Sequence, residues 1–251
     1  MKPKQKTMQK NNSTKCYWVI IPAAGVGSRF GTDTPKQYAR INDLTVLEHS
    51  VHPFLQIPFI NKIVIAIASN DPFAKQLATL NNERVEFTTG GETRAESVLN
   101  ALNHIEPYCK QDDWVIVHDS VRPCLTNNEL ESFIALLPTA ACGALLAVPV
   151  TDTLKNVQDH RVQSSLDRRN IWRAQTPQAF PFSILKNAIS SAVDDISSIT
   201  DESSAIERMG HYPLIVKGLE SNIKITYPED LDLARYHLTR PRTISTTREN
   251  N

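Results

Sequence analysis

A short segment of small residues followed by two basic side chains gives the clearest chemical signal in the sequence. It reads Pro22-Ala23-Ala24-Gly25-Val26-Gly27-Ser28-Arg29-Phe30-Gly31, and Pro35-Lys36-Gln37 comes soon after. The small side chains let backbone N–H groups approach a phosphate closely, and a helix start would add its dipole. Arg29 and Lys36 supply full positive charge. The segment therefore predicts a phosphate-binding loop formed by Pro22, Ala23, Ala24, Gly25, Val26 and Gly27.

The segment does not match the sequence motifs of two other phosphate-binding loops. A dinucleotide fingerprint G-x-G-x-x-G would need glycine at position 30, where Phe30 stands, so a dehydrogenase is disfavoured. The string G-x-x-x-x-G-K-[ST] of a P-loop does not occur. A plain tight turn after a strand is the non-functional alternative, and the two nearby cations argue against it.

A second candidate group lies at the end of another apolar run, Trp114 to His118. Asp119 follows it directly, and a carboxylate at the carboxyl end of a buried strand is well placed for a Mg²⁺–triphosphate complex. Asp119 is therefore a candidate metal contact, directly or through water, with an Asx turn as the structural alternative. His118 is expected to order the loop, since a lone histidine is a weak metal signal.

The elements that must position these groups alternate between strands and helices. Continuous apolar runs predict strands covered on both faces, and they lie at Tyr17 to Pro22, Ile63 to Ala68, Trp114 to His118 and Ala144 to Val150. Helical patterns lie at 93–105, 128–137 and 226–238, and Thr93 with Glu96 has the spacing of a capping box. Pro53 is expected to kink or end a helix over 45–57. The order predicts an α/β fold, Rossmann-like and doubly wound, with a mostly parallel sheet.

One polar segment, 151–171, interrupts this alternation. Short strand-like pieces at 153–157 and 161–165 flank a turn at Asp159-His160. We expect a projecting β-arm whose unpaired edges pair with another chain, which favours a homodimer. The rest of residues 16–240 is expected to form a single domain.

Composition narrows the partners and the location. Lys+Arg and Asp+Glu both total 27, so no net charge selects nucleic acid or membrane, and no apolar run approaches the ~20 residues of a membrane span. Residues 1–15 contain five lysines and no acidic residue, which predicts a disordered tail, and 241–251 is expected to be a flexible tail. The four cysteines show no metal or disulfide spacing and favour reduced thiols in a cytoplasmic protein.

Further strings fall in a fixed order and carry a family resemblance. They are Gly90 to Val98 (GGETRAESV), His118 to Pro123 (HDSVRP), Pro149 to Lys155 (PVTDTLK), Gln175 to Gln178 (QTPQ), Thr200 to Glu202 (TDE) and Asn222 to Thr226 (NIKIT). With the Pro22–Gln37 segment they resemble nucleotidyltransferases that use sugar or polyol phosphates. Over about residues 17 to 238 the set is similar to the 2-C-methyl-D-erythritol 4-phosphate cytidylyltransferase family.

The resemblance implies transfer of CMP from CTP to methylerythritol 4-phosphate, with Mg²⁺ as cofactor. It implies that Arg29 and Lys36 are catalytic, stabilising the charge of the transition state, and it adds that the arms interlock with Arg168 near the neighbour's nucleotide. The implied nucleotide contacts are Gly90, Gly91, Arg94, Ser97 and Asp119, and the implied contacts to the acceptor substrate are Arg168, Lys224, Thr153 and Thr176. Glu92 stands where many relatives carry Asp, and the adjacent Arg169 is an alternative to Arg168.

Two alternatives remain open at this stage. A cytidylyltransferase for another polyol phosphate, such as ribitol 5-phosphate, would have a similar pocket. A non-catalytic nucleotide sensor could keep the same fold, but it would have little need for two sets of phosphate-binding cations.

Overall fold

The structure is a computed structural model that describes residues 15–25, 30 and 34–239. Its strands are β1 (Tyr17–Pro22), β2 (Arg40–Ile41), β3 (Leu44–Thr45), β4 (Ile60–Ile67), β5 (Val85–Thr89), β6 (Trp114–Val117), β7 (Ala144–Pro149), β8 (Leu154–Gln158), β9 (Arg161–Leu166), β10 (Trp172–Pro181) and β11 (Leu214–Lys217). Its α-helices are α1 (Val46–Leu55), α2 (Arg94–Ile105), α3 (Asn127–Leu136), α4 (Phe182–Ser191), α5 (Glu202–Arg208) and α6 (Asp230–Thr239). Short 3₁₀ helices lie at Lys36–Tyr38, Ala74–Gln76, Ala78–Leu80, Leu137–Thr139 and Val193–Ser198.

Within the described residues, seven strands form a central sheet in the order β11-β7-β10-β6-β1-β4-β5. Neighbouring strands are parallel except where β10 lies between β6 and β7, antiparallel to both. The predicted mostly parallel, Rossmann-like α/β fold is confirmed. Strand β1, which precedes the predicted phosphate-binding loop, lies between β4 and β6, so its carboxyl end is flanked by the ends of both neighbours.

Both faces of the sheet are covered, which explains why its strands read as continuous apolar runs. Along β1, Val19 and Ile21 belong to a core cluster with side chains of α1 and α3. Trp18 and Ile20 point to the other face and pack with side chains of α2 and α4. Burying each such side chain is worth about 1.5–3 kcal/mol. The two-sided core therefore holds the strand ends, and the loops that follow them, in fixed positions.

Helix α2 starts where the sequence predicts. The Glu96 N–H donates to Thr93 Oγ1 at 3.2 Å, and the Thr93 N–H donates to Glu96 Oε2 at 2.8 Å. This capping box satisfies two backbone donors that a helix start would otherwise leave without partners. It also makes Arg94 the first residue of α2, which places that side chain at the sheet edge where β6 ends.

One helix prediction needs correction. The last helix begins at Asp230 and not at 226, because the Asp230 carboxylate accepts the N–H groups of Thr226 and Tyr227 in a turn before the helix. Tyr227 also precedes Pro228, which disfavours a helical conformation. Pro53 lies inside α1, and the helix continues for two more residues to Leu55 before it ends.

The predicted strands and turn within 151–171 are confirmed. β8 and β9 form a two-stranded antiparallel sheet of their own, outside the central sheet. Asp159 and His160 join them with φ angles of 48° and 61°, the positive values that a two-residue type I′ turn requires. Every residue of β9 is exposed, and the side chains of Val157 and Val162 are among the exposed hydrophobic groups. The segment is a hairpin that does not pack into the core of its own chain.

The predicted tails lie almost wholly outside the described residues, since only Lys15 of 1–15 and none of 241–251 is described. Among the helices of the described part, none has the length and apolar character needed to cross a membrane.

Candidate active site

A cavity of about 340 Å³ opens at the carboxyl ends of β1 and β6. It is the place where a doubly wound sheet is expected to bind its ligand. Of the predicted site residues, those that line it are Pro22, Ala24, Gly25, Lys36, Gly91, Arg94, Ser97, Asp119 and Lys224. Segments distant in sequence therefore meet around one space.

Other predicted site residues lie elsewhere. Ala23 is buried behind the cavity wall, and Gly90 donates its N–H to the Ile67 carbonyl at 2.7 Å. Thr153 and Arg168 are exposed at the base of the hairpin and are not part of the cavity lining in the described residues. Val26, Gly27 and Arg29 lie outside the described residues.

The first residues of the predicted phosphate-binding loop are held by Gln37. The buried Gln37 donates from Nε2 to the carbonyl oxygens of Ala23 at 2.9 Å and Gly25 at 3.0 Å. Next to it, Lys36 Nζ donates to the Ile225 carbonyl at 3.0 Å, on the segment that also carries Lys224. The short 3₁₀ helix Lys36–Tyr38 thus ties the loop after β1 to the far wall of the cavity.

The second loop needs glycine for close packing. A Cβ atom at position 90 would lie 2.5 Å from the Cβ of Ala24 and 2.8 Å from Ser97 Oγ, so the two loops can meet only if residue 90 has no side chain. Ser97 Oγ accepts the Gly91 N–H at 3.0 Å and donates to the Thr93 carbonyl at 3.0 Å. The serine hydroxyl therefore fixes the shape of the Gly90-Gly91 loop.

A cluster of five charged side chains forms what we call the floor: Arg94, Asp119 and Lys224 line the cavity, and the buried Arg122 and Glu202 lie behind them. Arg94 Nε donates to Asp119 Oδ1 at 2.9 Å, and its two terminal nitrogens contact the Glu202 oxygens at 2.6 and 3.0 Å. Asp119 Oδ2 meets Lys224 Nζ at 3.0 Å and Arg122 Nε at 3.3 Å. Three cations against two carboxylates leave one net positive charge, which suits an anionic ligand.

Burial and pairing set the protonation states of the floor. Burial by itself would raise the pKa of Asp119, but the charges of Arg94, Lys224 and Arg122 hold that pKa well below its usual range. Burial would likewise lower the pKa of Arg94, and the carboxylates of Glu202 and Asp119 raise it instead. Arg94 and Asp119 therefore keep their charges near neutral pH.

A directional hydrogen-bond chain lies beneath Asp119. Burial lowers the pKa of His118 to about 4, so its ring is neutral. His118 Nε2 faces the Arg122 carbonyl at 3.2 Å, which can only accept, so the proton is on Nε2 and Nδ1 must accept from the Thr176 hydroxyl at 2.9 Å. The Thr176 oxygen in turn accepts the Asp119 N–H at 3.0 Å. His118 therefore orders the loop, as predicted, through hydrogen bonds to the Arg122 carbonyl and to the Thr176 hydroxyl. Because Thr176 donates its hydroxyl proton to His118, that proton is not available to a substrate.

Comparisons with known proteins decide the family. A model of the 2-C-methyl-D-erythritol 4-phosphate cytidylyltransferase family matches residues 17–240. The chain belongs to this family. Proteins named 2-C-methyl-D-erythritol 4-phosphate cytidylyltransferase from Aliivibrio fischeri and Acinetobacter baumannii are 43% and 45% identical to it, over 88% and 87% of the chain and 93% and 92% of their own lengths.

Solved structures of the same family have a similar fold. The Francisella tularensis 2-C-methyl-D-erythritol 4-phosphate cytidylyltransferase superposes with a TM-score of 0.77 at 36% identity, covering 89% of this chain and all of its own. The bifunctional IspDF protein of Campylobacter jejuni superposes with a TM-score of 0.72 at 30% identity. The match covers 87% of this chain but 54% of that longer protein.

The sequence patterns assign no role to three side chains of the family motifs that the structure places in or beside the site. Gln37, Arg122 and Glu202 are each less than a tenth exposed. The signal for Arg122 is its position three residues after Asp119, in one motif. Glu202 gives no comparable signal, because its partner Arg94 is 108 residues away in the chain.

Proposed function

We propose that this chain transfers CMP from CTP to 2-C-methyl-D-erythritol 4-phosphate, giving 4-diphosphocytidyl-2-C-methyl-D-erythritol and pyrophosphate. The observation that carries the proposal is the joining of the family's motifs around one cationic cavity at the ends of β1 and β6. An enzyme of the family needs such a cavity because both of its substrates are phosphate anions.

The reaction is a displacement at phosphorus. A phosphate oxygen of the acceptor forms a bond to the α-phosphorus of CTP, while the bond from that phosphorus to the bridging oxygen of the β-phosphate breaks. Pyrophosphate leaves with the electron pair of that bond. A phosphate dianion is already a nucleophile, so no general base is required, and catalysis rests on positioning and on stabilising charge.

The cavity residues divide this work by location. Lys36, with Arg29, stabilises the negative charge that builds on the transferring phosphoryl group and the leaving pyrophosphate. Lys224 lies on the opposite wall and reaches both Asp119 and the open space, so it binds the acceptor phosphate. The Gly90-Gly91 loop, whose N–H groups are bonded to the Ile67 carbonyl and to Ser97 Oγ, offers backbone carbonyl oxygens to the base.

The floor fits a divalent metal brought by the nucleotide. A carboxylate has about four acceptor positions, and Asp119 uses three of them for Arg94, Arg122 and Lys224. The remaining position, on Oδ1, suits one contact to Mg²⁺ or to a water that Mg²⁺ carries, which matches an ion held mainly by substrate phosphates. When bound, Mg²⁺ would neutralise part of the triphosphate charge.

A second copy of the chain completes the proposal. Val157 and Val162 lie opposite each other on the hairpin, more than half exposed, and Leu166 is nearly half exposed. Such an apolar ribbon with open strand edges is stabilised by pairing with an identical arm. Arg168 and Thr153 lie at its base, so a homodimer would carry them toward a neighbouring cavity. The cytoplasm is the proposed location, supported by the four cysteines, all free thiols, and by the nucleotide substrate.

Pyrophosphate release tests the proposal directly. The protein is incubated with Mg²⁺ and each of the four nucleoside triphosphates, with either methylerythritol 4-phosphate or ribitol 5-phosphate as acceptor. We expect the fastest release with CTP and methylerythritol 4-phosphate. Turnover only with another nucleotide, or only with ribitol 5-phosphate, would overturn the assignment. CTP binding without any turnover would favour a nucleotide sensor.

A further inference from the structure

The first residue of helix α5 places a carboxylate in the floor. Glu202 is 1% exposed, and both of its oxygens contact the terminal nitrogens of Arg94, at 2.6 and 3.0 Å. This is the bidentate pairing that a guanidinium makes with a carboxylate. Glu202 does not line the cavity, so it acts on a ligand only through Arg94.

The start of α5 is clamped to the central sheet, which keeps Glu202 in place. Asp201 caps the helix by accepting the Ser204 N–H at 2.9 Å. The buried Gln178 on β10 donates from Nε2 to Asp201 Oδ2 at 2.8 Å and accepts the Ser203 N–H on Oε1 at 2.9 Å. One glutamine therefore holds the residues on both sides of Glu202. Because Gln178 is on β10, the neighbour of β6 in the sheet, the sheet itself holds Glu202 against Arg94, which pairs with Asp119 beyond the end of β6.

This arrangement restricts how Arg94 meets Asp119. With both terminal nitrogens on Glu202, Arg94 gives only its Nε–H to Asp119 Oδ1. Oδ2 of Asp119 then remains for Lys224 and Arg122. If Glu202 had no charge, the fork of Arg94 would be free to turn and pair with both oxygens of Asp119, in competition with Lys224. The net charge of the five floor groups would also rise from one to two.

We propose that Glu202 is a positioning residue, which orients Arg94 edge-on to Asp119 and thereby keeps Lys224 directed at the acceptor phosphate. The kinetic part of this inference rests on the proposed function. The physical basis is that Arg94 pairs with two carboxylates, and its bidentate contact with Glu202 sets the orientation in which it meets Asp119.

The test is Glu202→Gln, which keeps the size of the side chain and removes its charge. We expect kcat/KM for both substrates to fall about 10- to 100-fold, the scale of a small misplacement of reacting groups. Glu207→Gln is the matched control, since Glu207 is on the same helix and accepts from Ser203 Oγ at 2.6 Å, and it should stay within twofold of the wild type. Glu202→Asp keeps the charge on a shorter side chain and should retain more activity than Glu202→Gln.

A double-mutant cycle separates positioning from a general structural role. In an Arg94→Lys background, which lacks the fork, Glu202→Gln should cause little further loss. An equal loss in both backgrounds, or a folded Glu202→Gln enzyme within twofold of the wild type, would overturn the proposal. If Glu202→Gln does not fold, Glu202→Asp takes its place in the cycle, and a loss in kcat/KM that is equal in the wild-type and Arg94→Lys backgrounds would overturn the proposal.

A crystal structure of the Glu202→Gln protein gives a readout that does not depend on turnover. We expect Arg94 to pair with both oxygens of Asp119 and Lys224 Nζ to move away from Oδ2. An unchanged Arg94 would overturn the positioning role even in an active enzyme. A wild type that releases no pyrophosphate from CTP would reject the proposed function alone, since the orientation of Arg94 could still be compared.

Discussion

The floor of the cavity and the β8–β9 hairpin differ in what they bury: the floor buries charged side chains, and the hairpin exposes apolar ones. In the floor, Asp119 and Glu202 are 5% and 1% exposed, and each charge is matched within the chain by cations. In the hairpin, Val157 and Val162 are 53% and 61% exposed. The difference is that the floor finds its ionic partners within one chain, whereas the hairpin, with Arg168 and Thr153 at its base, leaves apolar side chains uncovered. We therefore expect the hairpin, and not the floor, to need a second copy of the chain.

The largest expected effect comes from the cavity itself. Replacing Lys36 by Ala should lower turnover by roughly 10²–10³, the cost of losing one preorganised group that stabilises developing charge. Arg29→Ala should cause a loss of the same size. Steady-state pyrophosphate release measures both, with Lys75→Ala, an exposed lysine on another 3₁₀ helix, as the control. Near-normal turnover of a folded Lys36→Ala protein would remove Lys36 from the mechanism.

The next effect tests whether the arm serves a neighbouring chain. Lys36→Ala and Arg168→Ala subunits, each nearly inactive alone, should regain activity when mixed and allowed to exchange. Random pairing makes half of the dimers mixed, each with one intact site, so activity should reach about a quarter of the wild-type value.

The matched control mixes Lys36→Ala with Lys224→Ala subunits. Both residues line the cavity of the same chain, but a mixed dimer would then carry one defect in each site and should show no recovery. Subunit exchange is verified by native mass spectrometry. Proven exchange without recovery in the first mixture would place Arg168 in its own chain and remove the contrast between floor and arm.

The smallest expected effect is on the free energy of unfolding of the protein at acid pH, and it comes from His118, beneath Asp119. Burial lowers the pKa of His118 to about 4, below the value of about 6.5 for an unfolded chain. The unfolded state therefore binds a proton first as pH falls. The resulting stabilisation is complete above about pH 6.5 and is lost between pH 6.5 and 4, on the order of 3 kcal/mol at most.

Urea unfolding at a series of pH values in metal-free buffer measures this loss. His118→Asn, which cannot titrate but keeps an acceptor near the Nδ1 position, should show a shallower decrease in the free energy of unfolding over that range. His160→Asn, in the exposed hairpin turn, is the control. If the free energy of unfolding of His118→Asn falls with pH as steeply as that of the wild type, the loss of stability in acid does not come from His118.

Local patterns allowed much of this fold to be predicted. The apolar runs placed β1, β4, β6 and β7 to within a few residues, since strands covered on both faces need apolar side chains at every position. The Thr93–Glu96 box located the start of α2. The start of α6 was misplaced because the Asp230 side chain reaches back to residues 226 and 227, a contact that propensity does not encode.

The types and spacing of the residues were enough to predict the class of fold and the family. These follow from short-range spacing, which fixes hydrophobic periodicity, capping and close backbone approach. The pairing of the charges, in contrast, follows from the fold in three dimensions. Arg94 is 25 residues from Asp119 and 108 from Glu202, and the fold alone brings all three together. Coulomb interactions in a buried site depend on the distance between the charges and on their exposure to solvent, and neither quantity can be read from positions in the sequence.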